Sequence, residues 1–283
     1  MKRIRTRAAC GLLTALVAVL MLSSCSSNTA PAPPKMGTPG FYWSAAKETF
    51  AAADYTKATD HLERLVTGDS EFKTRATPWL TVVYAGMAKG YVDMVPFFEE
   101  GAKANRQDPL FFRRYINSSR AAAGRLALRF AELHESIEKS PDAEVALAFG
   151  FPSGSPNLPP DVKKLSSGLK LPAAEIEAMQ KRSMDRGILL AASAATGNPD
   201  GPGKAMELLK AGDAKVPKPV FEMFVAKYLY DMSDLYTRTK LDDPRKLKFI
   251  LDHAAEAIKA TPDSKEKKAL QGKIEAAQKK AKG

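Results

Sequence analysis

The sequence predicts an all-α protein made of paired helices, and three observations carry that prediction. Apolar residues recur at every third or fourth position almost continuously from Phe41 onward. A capping residue followed by Pro, as in Thr38-Pro39 and Asp108-Pro109, opens several of those runs. No clear run of alternating β-branched residues appears outside one short segment, 144–151. With 45% hydrophobic and 27% charged residues, the 283-residue chain has a folding composition, which excludes wholesale disorder.

The elements follow in order. After Thr38-Pro39, Phe41, Ala45, Ala46, Thr49, Phe50 and Ala53 keep a helical spacing. Asp54 punctuates, and a second helix runs from Tyr55 through Ala58, Leu62 and Leu65 to a stop at Gly68. Thr77-Pro78 starts a third, carrying Trp79, Val82, Val83 and Gly86, and its expected partner covers roughly 94–105. Asp108-Pro109 begins a long helix to about Lys139, with Phe112, Ile116, Leu126, Phe130, Leu133 and Ile137 on its buried side. Between Pro141 and Pro160 the helical signal fails. Residues 144–151 (EVALAFGF) fit a short strand as well as a last helical turn. Residues 151–161, with four Pro, form a loop and the boundary between two helical halves, 41–150 and 162–283. In the second half helices are expected at about 172–196, 202–211, 217–236, 244–260 and 265–280, the last rich in Lys.

Two second helices share a spacing: Lys57-Ala58 followed by Leu62, and Lys204-Ala205 followed by Leu209, each after a turn-rich segment. This is similar to the tetratricopeptide repeat, where a small residue lets the second helix approach the first and a large apolar one follows four positions later. Asp54-Tyr55 matches that repeat's turn dipeptide, and residues 257–262 (AIKATP) resemble its close, where Pro stops the helix. Trp79 looks like the aromatic start of a first helix. Gly86 stands where the repeat places Tyr, Ile250 and Ala254 fit the last unit poorly, and no uniform period holds. The resemblance covers about half of the folded part and implies a tetratricopeptide-like, α-solenoid-like array of αα-hairpins.

Ahead of the helices, residues 1–24 read as a secretory signal. Lys2, Arg3, Arg5 and Arg7 precede an apolar stretch, 8–22, that is too short for a comfortable membrane span. It ends in Leu22-Ser23-Ser24-Cys25, which resembles the bacterial lipobox. In that family the leader is cut before the Cys, whose thiol receives a diacylglycerol and whose amine is acylated. The resemblance therefore implies lipidation at Cys25 and anchoring to a membrane through acyl chains, two or three of which hold firmly. Ser26 follows the cut where lipoproteins kept at the inner membrane carry Asp, so the likeness points to a periplasm-facing protein of the outer membrane. Cys10 leaves with the leader and no further Cys exists, so the exported chain forms neither a disulfide nor a thiolate metal site. Residues 26–40 (SSNTAPAPPKMGTPG) form a Pro- and Ser-rich tether, up to about 45 Å long as polyproline II. The layout also resembles lipoproteins that partner periplasmic solute transporters.

Charge narrows the partners. The formal net charge is +11, but four cations lie in the leader, and residues 262–283 hold seven Lys against Asp263, Glu266 and Glu275. The body is left at about +3, which argues against a nucleic-acid-binding surface. The Lys-rich tail reads as a solvated capping helix, with contact to anionic lipid headgroups as the alternative.

No catalytic constellation emerges. His61, His134 and His253 each stand alone on a predicted helix, without a second His one turn away. The Ser-x-x-Lys pattern at Ser44/Lys47 recurs at Ser136/Lys139, Ser167/Lys170 and Ser264/Lys267, and the elements that accompany it in penicillin-interacting enzymes are absent. Glu99-Glu100 and Asp242-Asp243 are neighbours that diverge on a helix, and Asp243 reads as a cap before Pro244. Residues 197–204 (GNPDGPGK) lack the spacing of a phosphate loop. Phe221, Phe224, Tyr228 and Leu235 form a core stripe, whereas Tyr91, Tyr115 and Tyr230 are the candidates to line a groove, because a buried phenol seeks a polar partner.

These readings lead to one expectation and two rivals. The expectation is a membrane-anchored, non-catalytic scaffold that holds an envelope protein or peptide, with no cofactor or metal. The first rival is a small-molecule or lipid-binding accessory subunit of a transport system, with a cavity between the halves. An enzyme would require two or more of Ser44, Lys47, His61, His134, His253 or an acid to meet, and they are expected apart.

Overall fold

Among the described residues, side-chain caps fix five helix starts. Phe41 N donates to Thr38 Oγ1, Lys57 N to Asp54 Oδ1 and Phe111 N to Asp108 Oδ1, each at 3.3 Å, Lys246 N to Asp243 Oδ1 at 3.1 Å, and Lys267 N to Ser264 Oγ at 3.0 Å. The structure is a computed structural model that describes residues 34–150, 157–198 and 201–281. The described chain is predominantly helical. Its elements are α1 Pro39–Ala51, α2 Tyr55–Thr67, α3 Lys73–Ala104, α4 Pro109–Glu138, β1 Glu144–Leu147, α5 Val162–Ser166, α6 Ala173–Ala195, α7 Pro202–Leu209, β2 Ala214–Pro217, α8 Lys218–Ser233, a 3₁₀ turn Asp234–Tyr236, α9 Pro244–Lys259 and α10 Lys265–Ala281.

The expected third helix and its partner are one helix, α3, of 32 residues. Every residue from 76 to 88 is buried, so this segment is the central rod of the protein and not one amphipathic arm of a hairpin. α2, α4, α6 and β1 all pack on it. Pro78 and Pro96 lie inside α3 without ending it. Around Pro78, whose nitrogen cannot donate, Thr77 Oγ1 donates to Lys73 O (2.9 Å) and Thr81 Oγ1 to Thr77 O (2.7 Å). Glu63 of α2 ties the neighbours together: it receives Arg129 Nη2 of α4 at 2.7 Å and the Tyr84 hydroxyl of α3.

Residues 144–151 begin as a strand. β1 pairs antiparallel with β2, Val145 opposite Val216 and Leu147 opposite Ala214. The strand at 214–217 is absent from the sequence reading because four residues with buried Ala214 and Val216 are too short to show a period. The β1–β2 pair and the α3–α6 contact join the segments on either side of 151–161, and Met36–Gly283 form one compact unit. Of residues 1–35 only Pro34 and Lys35 are described; the leader, Cys25 and most of the tether lie outside the described residues.

Two apolar cores result. The main one includes Trp43, Phe50, Trp79 and Phe149, whose rings meet at 5.3–5.5 Å, and runs on to the buried Phe221, Phe224, Tyr228 and Leu235 of the expected stripe. The second lies where α3 ends and α4 begins, with Phe98, Phe112 and Ile116 covered by Leu165 and Ile176. Among the described residues, no helix is long and apolar enough to cross a membrane.

Candidate functional site

The end of α4, the start of α3 and β1 enclose a cleft of about 350 Å³. α3 contributes Lys73, Thr74 and Thr77; α4 and the turn after it contribute Ser136, Lys139, Ser140 and Asp142. Lys218, the first residue of α8, holds the corner: its Nζ donates to Glu138 O (2.9 Å) and Ser140 O (2.8 Å), capping the last carbonyls of α4.

The third wall is the strand. Lys218 N donates to Ala143 O at 2.9 Å, which makes 143 and 218 a hydrogen-bonded pair. Such pairs alternate along an antiparallel ladder, so Val145 and Val216 form the next one. The N–H and C=O groups of Glu144 and Ala146 therefore point away from β2. Pro217, opposite Glu144, sits where no ladder donor is required. Glu144, Val145 and Ala146 line the cleft, and Glu144 and Ala146 also line an adjoining hollow of about 300 Å³ with Lys215. The cleft thus has an open strand edge on one side and lysines around it.

Beneath this floor lies the cluster that sequence reading expected to be scattered. Glu222 is one turn after Lys218 on α8, and His134 is one turn before Glu138 on α4. His134 Nε2 lies 2.9 Å from Glu222 Oε2, and both side chains are fully buried. His134 Nδ1 lies 3.4 Å from His253 Nδ1 of α9, and His253 Nε2 is 3.9 Å from Glu135 Oε1 at the surface. Two histidines and an acid therefore do meet, contrary to the expectation that they stand apart. The convergence has no local sequence signal, because the three residues come from helices far apart in the chain. Burial, then repulsion from the neighbouring His134, holds the His253 imidazole below the usual histidine range. The Glu222 Oε1 atom has no partner among the described residues. The result is a three-link chain of side chains from a buried acid to the rim of the protein. It clamps α4, α8 and α9 together.

The other candidates fall elsewhere. Tyr91 on α3 packs against the main core, and Tyr115 on α4 is stacked on Phe98 at 5.3 Å in the second core. Tyr230 lines a surface cleft of about 690 Å³ with Tyr236, Leu247 and Ala277. His61 sits against the rings of Phe41 and Tyr42, and Lys47 lies over Trp43 at 5.3 Å. Asp243 caps α9, as its place before Pro244 implies. Among the described residues, no group of three His, Cys, Asp or Glu is arranged to hold a metal ion. Compared with protein-family models, curated proteins and solved structures, the chain matches none.

Proposed function

We propose that the protein is a membrane-anchored envelope lipoprotein that acts as a non-catalytic interaction scaffold, holding an extended segment of a protein partner along the open edge of β1. The observation that carries this reading is the outward edge of Glu144 and Ala146 opening into the cleft. An extended chain added there gains main-chain hydrogen bonds from a preformed strand. Asp142 and Glu144 lie among the lysines of the lining, and Lys139, Lys215 and Lys218 are already engaged, so the main chain of the segment and not its charge is what the edge recognises. A tetratricopeptide-like arrangement is supported by Ala58 with Leu62 and by Ala205 with Leu209, all fully buried on second helices after short turns. The lipobox at Leu22-Ser23-Ser24-Cys25 supports the anchor, and Ser26 supports the outer membrane. A non-catalytic role agrees with His134, whose two ring nitrogens are both engaged inside the core.

Capture of the acylated protein from detergent-solubilised envelopes, with a photo-crosslinker at Thr74, tests the reading. One stoichiometric partner is expected, and Ala146→Pro should reduce its recovery at least tenfold. Proline there removes an outward N–H and leaves the ladder to β2 intact. A partner held equally by the variant, or none under crosslinking, overturns the scaffold. Intact mass should show the leader removed and Cys25 acylated; an unmodified thiol overturns the anchor. The rival, a small-molecule-binding accessory subunit of a transport system, has the Tyr230 cleft in its favour, and native mass spectrometry of the purified protein would show its ligand.

A further inference from the structure

The far end of the α3–α4 pair carries a second surface. There the α3–α4 turn and the α5–α6 turn are pinned together: Asn105 Nδ2 donates to Gly168 O at 2.9 Å, and Lys170 Nζ pairs with Asp108 Oδ2 at 2.9 Å. Each turn presents a leucine to solvent, Leu110 at 70% exposure and Leu169 at 52%. Around them lie seven exposed cations, Lys103, Arg106, Arg113, Arg114, Lys163, Lys164 and Lys170. Of the acids at this end, Asp108 pairs with Lys170 and Asp161 with Lys164 and Arg182, while Glu100 and Glu175 stand exposed, so cations remain in excess. Lys103, Arg106, Arg113 and Lys163 enter no ion pair among the described residues, and Arg114 rests over the ring of Tyr115.

We infer that this end docks on an anionic phospholipid surface, its leucines entering the headgroup–acyl boundary and its cations meeting lipid phosphates. Each element has a separate reason. Exposed leucines ringed by charge are costly in water and favourable at a bilayer interface, where flexible chains receive them without a matching pocket. Clustered Lys and Arg gain from the negative surface potential of such a membrane. A single-stranded nucleic acid is the poorer fit, because it calls for presented aromatic faces. The rings at this end are spent on one another: Phe111 on Phe112 (5.1 Å), and Tyr115 on Phe98 and Phe111 (5.3 and 5.2 Å). The partner cleft is at the opposite end of α4, about 45 Å away along a 30-residue helix, so this surface is independent of the strand edge.

An environment-sensitive fluorophore at position 110 tests it in the full chain, using Leu110→Cys with Cys10→Ser and Cys25→Ser so that one thiol is labelled. The same label on exposed Lys210 (Lys210→Cys) is the control. With Cys25 replaced no acyl anchor forms, and a retained leader tethers both labelled chains alike, so only the position and the lipid chemistry differ. A blue shift at 110 and not at 210 is expected on phosphatidylglycerol-containing vesicles, absent on pure phosphatidylcholine and reversed by salt. The triple change Arg106→Glu, Arg113→Glu, Lys163→Glu should raise the lipid concentration for half-maximal shift at least tenfold. No shift at 110, an equal shift on neutral vesicles, or a shift produced by single-stranded RNA and not by vesicles overturns the inference.

Discussion

Gly86 of α3 and Gly187 of α6 meet backbone to backbone: a Cβ on Gly187 would stand 2.1 Å from Gly86 O, and a Cβ on Gly86 would stand 2.3 Å from Ile188 Cα. Neither obstacle is a side chain that can swing aside. Gly187→Ala or Gly86→Ala should therefore cost about 3 kcal/mol or more, the upper range for overpacking, because α6 must move off the central helix. Gly272→Ala in α10, with nothing within 4 Å of its Cβ, should gain up to about 1 kcal/mol from helix propensity. Urea unfolding of the three variants checks both signs. Equal effects at 187 and 272 would refute the crossing.

The same contact shows what one sequence reveals and what it hides. Gly86 was readable only as a misfit to the tetratricopeptide pattern; its reason lies on α6, about a hundred residues later in the chain. Caps were legible because they act over three residues: Thr38, Asp108 and Asp243 cap as their place before Pro implies, and Asp54, readable only as a turn residue, caps as well. The continuity of α3 was not, because helical periodicity loses its contrast when every side is buried, and Pro78 then reads as a start. For the candidate site, Lys218 and Val145 were visible only as ordinary residues. The edge of β1 depends on a partner strand of four residues, and the His134–Glu222–His253 chain depends on three helices converging.

Removing one member of the buried pair should be far worse than removing both. His134→Leu leaves the Glu222 carboxylate buried without its partner, a loss of about 3–5 kcal/mol. Glu222→Leu orphans the His134 Nε2 side instead. The double variant replaces both polar groups by apolar ones and should be markedly more stable than the sum of the single losses predicts, by about 1–3 kcal/mol. A double-mutant cycle in urea measures this coupling, and strict additivity would show that the two side chains do not act as a pair.

Ala53 joins α1 to α2 in a left-handed conformation, φ 55°, that glycine tolerates and alanine resists. The tight turn is required because Asp54 N must reach Thr49 O (2.8 Å) while Asp54 caps α2. Ala53→Gly relieves about 1–2 kcal/mol of backbone strain and returns part of it as unfolded-chain entropy. A net gain of about 0.5 kcal/mol is expected in the urea midpoint, and a loss would mean that the Ala53 methyl is needed where it touches the main core.

His253 faces His134 from α4, Glu135 and Glu138 on the same helix, and Asp252 beside it; burial and His134 outweigh the three acids and hold its folded pKa below 6.5. The native state thus keeps the imidazole neutral while the unfolded chain takes up a proton near pH 6.5. Its contribution to stability is complete above that value and is lost as pH falls from 6.5 through the folded pKa. His253→Gln removes the titration and retains a group that can bond His134 Nδ1. Stability should then fall less steeply as pH drops below about 6.5, the difference in slope being at most about 1.4 kcal/mol per pH unit for one proton. Below the folded pKa the carboxylates dominate in both proteins and the curves should run parallel. Urea midpoints across the range decide the matter: an unchanged slope in the variant would mean that His253 charges in the folded state as easily as in the unfolded one.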